Sequence, residues 1–163
     1  MHNIRGFIGN MDIIKPFSEK WLSDIIYLKQ DLSMFFLTDK LYDNIQELVN
    51  SKIDTDYSDY FEYFSSSVYE LMVFESHHGK IGYIETDYFG GSGSQSALLI
   101  EKGKIIVEPL KTKTKWDENS NGYIHTPEGV EAINSILKEL SVNRIKGNDE
   151  FDSIGLGNYR RME

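Results

Sequence analysis

Two strand-like runs separated by a few glycines and serines set the central constraint on this chain. Residues 82–89 include Tyr83, Ile84, Glu85 and Asp87, and residues 96–101 include Ala97, Leu98, Leu99 and Ile100. Between them lie Gly90-Gly91-Ser92-Gly93-Ser94-Gln95. So short a connection joins antiparallel neighbours, because a parallel crossover needs about a dozen residues or more. The segment therefore predicts a hairpin at the centre of the fold, with glycine supplying the positive φ its turn requires. Backbone N–H groups of such a loop could surround an anion. It is not a Walker loop, because no Gly-Lys-Ser/Thr follows. Nor is it a dinucleotide fingerprint, because a strand follows where a helix should.

The remaining elements follow from period and punctuation. Residues 3–9 read as a strand and 13–22 as a short helix, with Pro16 in its first turn. Residues 24–29 and 34–37 read as strands joined through Gln30-Asp31-Leu32-Ser33. Thr38 is an N-cap for a helix burying Leu41, Ile45, Leu48 and Val49. A polar, acidic stretch at 50–59 precedes a longer helix carrying Phe61, Phe64, Val68, Leu71 and Met72, closed by Gly79. Lys102-Gly103 turns into a strand over 104–108 that Pro109 is expected to end. Residues 110–125 read as a polar loop. Thr126-Pro127-Glu128 reads as a helix start, ahead of the stripe Val130, Ile133, Ile136, Leu137 and Leu140. A last short helix spans 149–154 and stops at Gly155-Leu156-Gly157. Strands do not alternate with helices, so the pattern predicts a single α+β domain over residues 1–163. Its central sheet is antiparallel or mixed, with helices packed mainly on one face.

The 163 residues suffice for one core. No apolar run approaches a membrane span, and the first nine residues read as a strand, not a secretion signal. The absence of Cys removes thiolate chemistry and disulfides, which suits a reducing cytoplasm. Net charge is −9, with −6 in residues 1–80 and −3 in 81–163. That field repels nucleic acid and attracts a basic partner.

Motifs for catalysis or metal binding are missing. His77 and His78 diverge by about 100° on a helix and do not readily share a metal. His2 and His125 have no evident partner, and no serine occupies a Gly-x-Ser-x-Gly elbow. No cofactor and no catalytic residue is therefore expected. Glu85 and Asp87 share one strand face and, with Gln95, define one polar cleft of an alternative small-molecule or enzymatic reading. Arg160 and Arg161 are candidate partners for those carboxylates. The strongest interaction signal is residues 54–63. Asp54, Asp56, Asp59 and Glu62 alternate there with Tyr57, Tyr60 and Tyr63. Tyrosine gives large contact area at low entropy cost, and neighbouring acids steer a cationic protein.

Tyr83-Ile84-Glu85-Thr86-Asp87-Tyr88-Phe89-Gly90-Gly91, then Gly93 and Gln95, resembles the hairpin signature of a family of small, uncharacterised bacterial proteins. Asp149-Glu150-Phe151, then Ile154-Gly155-Leu156-Gly157, Tyr159 and Arg160, resembles that family's C-terminal ending. The resemblance implies a stand-alone bacterial protein and supplies no catalytic residues. Such proteins resemble the acidic immunity proteins encoded beside contact-dependent toxins. The resulting expectation is a cytoplasmic immunity protein that occludes a cognate toxin domain, a basic nuclease in the first instance, through residues 54–63.

Overall fold

The computed structural model describes residues 1–162. In chain order the elements are β1 (His2–Asn10), α1 (Met11–Lys20), β2 (Ile26–Tyr27), β3 (Leu32–Phe36), α2 (Asp39–Leu48) and α3 (Ser66–Glu75). Then come β4 (Ile81–Phe89), β5 (Ser92–Glu101), β6 (Lys104–Asp117), β7 (Gly122–Thr126), α4 (Ala132–Glu139) and α5 (Glu150–Ser153). The seven strands form one sheet in the order β2-β3-β1-β4-β5-β6-β7, every pairing antiparallel. The protein is a single α+β domain, as its element order predicts.

Strand alternation divides the core in two. Phe7, Phe35, Ile81, Tyr83, Leu98 and Ile100 point to one face. There they meet Ile14 and Phe17 of α1, Leu41 and Ile45 of α2, and Val68, Leu71 and Met72 of α3. Ile4, Ile8, Met34, Ile84, Ala97 and Leu99 point to the other, against Ile133, Ile136 and Leu137 of α4 and the α5 segment's Ile154. Three helices thus cover the first face and two the second. β1 is apolar on both sides because it runs between these layers.

The central hairpin turns tightly. Gly90 (φ 59°) and Gly91 (φ 85°) form a two-residue turn, the left-handed pair that matches strand twist. Ser92, Gly93, Ser94 and Gln95, expected in the loop, are the first residues of β5.

The chain downstream departs from the expected pattern. Pro109 does not end β6. Leu99 faces Val107 whereas Ala97 faces Leu110, so two residues of β6 oppose Leu98 alone. Pro109 occupies this bulge, where no ladder bond is lost. Residues 110–125 are not a loop but most of the β6–β7 hairpin. The Lys-Thr alternation from 111 to 115 is a strand period: Thr112 and Thr114 are buried, and the lysines project from the opposite face.

Thr126-Pro127-Glu128 does not start a helix. Thr126 ends β7, and α4 begins at Ala132. Its cap comes from the sheet: Ala132 N–H donates to Thr112 Oγ1 (3.0 Å) and Ile133 N–H to Gln95 Oε1 (2.8 Å). Thr112 also donates to the Val130 carbonyl at 2.8 Å. Two buried hydrogen bonds thus hang on one hydroxyl. Thr112→Val keeps the shape and removes both, so it is expected to cost about 1–3 kcal/mol. Urea unfolding at constant m-value measures this, and an unchanged midpoint would show that α4 is capped otherwise.

Candidate functional site

Residues 49–65 contain no helix or strand, only turns at 58–60 and 62–63. The predicted long helix starts late because Ser65 caps α3, accepting from Val68 N–H at 3.2 Å. Phe61 and Phe64 still reach the core, but from irregular backbone. The segment is stapled along its length by hydroxyls. Ser67 donates to the Val49 carbonyl (2.8 Å), Ser66 to the Thr55 carbonyl (3.2 Å) and Ser96 to the Tyr60 carbonyl (2.6 Å). The final staple is Glu85 on β4. Its carboxylate accepts from the backbone N–H groups of Glu62 (2.7 Å) and Tyr63 (2.8 Å) and from the Tyr83 hydroxyl (2.8 Å).

Burial raises the Glu85 carboxyl above its ordinary value, against the lowering effect of those three bonds and of Arg5. Burial, reinforced by the Glu85 charge and hydrogen bond, likewise holds the Tyr83 phenol well above its ordinary value. Arg5 lies directly across the β1–β4 pair from Glu85 and is itself buried. Its Nε donates to the Leu37 carbonyl at 2.8 Å, its Nη2 pairs with Asp39, and its guanidinium stacks 3.4 Å from the centre of the Tyr63 ring. Such stacking is worth about 0.5–2 kcal/mol. Glu85 and Arg5 together fasten the 60–63 bend from beneath.

A slot of about 300 Å³ opens beside this bend. Asn3, Arg5, Glu85, Asp87, Ser94, Ser96 and Lys111 come from the sheet, and Tyr60, Glu62 and Tyr63 from the bend. The two sequence candidates, 54–63 and the Glu85–Asp87 pair, therefore adjoin. Gln95 does not belong with them. Thr86 is its cross-strand partner, so its side chain lies on the opposite sheet face, where it caps α4. The expected Glu85–Asp87–Gln95 cleft is not formed, because neighbouring strand positions alternate faces.

The acids and rings of 54–63 also separate. Asp54, Asp56, Asp59 and Glu62 are exposed, and none forms an ion pair among the described residues. Hydrogen bonds from Ser58 lower the Asp56 carboxyl. Tyr60 is 38% exposed. Tyr57 and Tyr63, expected at the contact surface, are half-buried instead. Tyr57 packs on Phe64 and Tyr69; Tyr63 lies between Arg5 and Tyr42. Their rings complete the core margin where Phe61 and Phe64 enter it.

The carboxylate of Glu85 is held by the bend and not by Arg160 or Arg161. The tail is fixed by backbone, with Asn3 N–H donating to the Arg160 carbonyl at 2.8 Å. His2 and His125 do have partners: their Nδ1 atoms lie 2.8 Å from Thr86 Oγ1 and 3.0 Å from Thr114 Oγ1. Among the described residues no three His, Asp or Glu side chains converge as metal ligands. No helix among them is long and apolar enough to cross a membrane. Arg5 and Lys111 were not singled out from the sequence. A lone arginine within the apolar run Ile4 to Ile8 was the available signal, since a buried charge requires partners.

No family model matches this chain, and no curated protein or solved structure matches it.

Glu85→Gln places an NH₂ group where at least one backbone N–H must donate. It is expected to destabilise the protein by about 1–3 kcal/mol. Because its native carboxyl is raised, the folded chain binds that proton more tightly than the unfolded chain. The resulting stabilisation is full below the ordinary glutamate value of 4.5 and is lost as pH rises through the native value. Urea unfolding should therefore show a larger cost of Glu85→Gln near pH 4.5 than at pH 7. A cost that grows with pH would contradict the burial argument.

Proposed function

We propose that this protein is an immunity protein, which neutralises a bacterial toxin by covering a basic face of it with the 54–63 bend. The observation that carries this reading is a long irregular segment, fastened at Val49, Thr55, Tyr60, Glu62 and Tyr63, whose exposed carboxylates form no ion pair among the described residues. Long ordered loops without secondary structure are characteristically functional. A loop already fixed in shape loses little further entropy on docking. Unpaired carboxylates on such a loop raise the encounter rate with a cationic surface and suppress wrong partners. The overall charge of −9 acts in the same direction.

The 83–95 and 149–160 segments resemble a family of small, uncharacterised bacterial proteins, and such proteins resemble immunity proteins in type, which supports this role. A cytoplasmic site of action and a nuclease as the toxin follow from the same reading, since a nuclease presents a phosphate-binding, hence basic, surface. The chain is expected to act by occlusion, with no bond made or broken.

Co-expression with the toxin domain it is proposed to neutralise tests the proposal. The wild-type chain should restore growth. The double change Asp56→Lys, Asp59→Lys should slow association at low salt by about tenfold or more and flatten its salt dependence. Unchanged association and protection would remove the bend from the interface.

A further inference from the structure

We infer that the slot beneath the 60–63 bend receives a single basic side chain of the partner, an arginine in preference to a lysine. This rests on the protein-binding reading above and names the anchor within it. Across β1, β4, β5 and β6 the sheet presents the row Arg5, Glu85, Ser96 and Lys111, and beside it the row Asn3, Asp87, Ser94 and Lys113. With strands about 4.8 Å apart, the backbone positions of Arg5 and Lys111 are separated by roughly 14 Å. The two cations therefore stand at opposite ends of the slot.

The ends and the middle differ in what they leave unsatisfied. Arg5 is held by Leu37, Asp39 and Tyr63 and turns toward β3. Glu85 accepts three hydrogen bonds from the bend and Tyr83. Between the ends, Glu62 and Asp87 are exposed carboxylates that form no ion pair among the described residues. The half-exposed Tyr60 ring and the Asn3 and Ser94 side chains complete this middle portion. An anion entering there would meet both carboxylates. A cation would lie between them, with a phenol ring at its flank. The volume of about 300 Å³ is at the small end for ligand pockets and suits one long side chain better than a substrate-sized molecule.

Arginine fits better than lysine for reasons of shape. Its planar fork offers five donors to separated acceptors and stacks on an aromatic face, and it is less strongly hydrated than an ammonium. Buried arginines flanked by tyrosine are also where interfaces concentrate their binding energy. Lys111 closes the far end against a second cation and opposes the first, which gives the proposal an unusual sign: removing this lysine strengthens binding.

The test uses the full chain, ¹⁵N-labelled, titrated with Nα-acetyl-arginine methylamide. Its neutral isostere Nα-acetyl-citrulline methylamide and sodium acetate serve as controls. Saturable millimolar binding of the arginine probe, shifting the amides of residues 62, 63, 87 and 94–96, is expected. Asp87→Asn should weaken it by at least about fivefold and Lys111→Met strengthen it by about two- to fivefold. Equal binding of the citrulline probe, acetate acting at the same amides, or indifference to Asp87→Asn would overturn the inference. Toxin neutralisation by Asp87→Asn at wild-type efficiency would also overturn it while leaving the immunity reading standing. Normal slot binding in a chain that does not protect cells would support the slot and overturn the immunity reading.

Discussion

A half-buried carboxylate that accepts two consecutive backbone amides holds this structure's irregular segment in one conformation. Glu85 receives the N–H groups of Glu62 and Tyr63, so the chain is pinned where it has no ladder or helix of its own. Without an acceptor at that point, two amides beside the core margin would have to find water, and the aromatic entries of Phe61 and Phe64 would lose their anchor. Arg5 completes the arrangement across the β1–β4 pair. It supports Tyr63 from below and offsets the Glu85 charge without forming a direct ion pair with it. Removing Glu85 would leave the buried Arg5 guanidinium less well compensated.

This clamp depends on the strict two-residue period of the sheet. Glu85 holds the bend and Asp87 lines the slot beside it because both share a face with Tyr83, whereas Thr86 and Gln95 serve the opposite layer. Several residues of the 83–95 hairpin thereby have an architectural role. Glu85 fixes the bend, Gly90 and Gly91 make the turn, and Gln95 caps α4. At Gly93 any Cβ would strike the Asp87 carbonyl. At Gly91 it would strike the Tyr123 hydroxyl, which donates to the Gly90 carbonyl.

Local chemistry was legible in the sequence wherever it acts within a few residues. The glycine turn and the Thr38 cap stand where their residue types place them. What the sequence concealed was set by contacts across the sheet. The strand through Pro109 required a bulge opposite Leu98, and the start of α4 required acceptors from Thr112 and Gln95, some 20 and 38 residues upstream. The favourable Thr-Pro-Glu helix start was overridden because Thr126 pairs with Lys113 in the β6–β7 ladder. The acids of the 54–63 bend were visible as a cluster. Their support was not, because it comes from Arg5 and Glu85, which are remote in sequence and meet only through the β1–β4 register.

If the Glu85 clamp holds, the bend is rigid in the free protein. Amide hydrogen exchange at Glu62 and Tyr63, measured residue by residue in the unliganded chain, tests this most directly. Both amides are expected to exchange orders of magnitude more slowly than in an unstructured peptide, despite lying outside any helix or strand. Exchange at the unstructured rate would mean that Glu85 does not hold the bend, and the surface built on it would have no fixed shape.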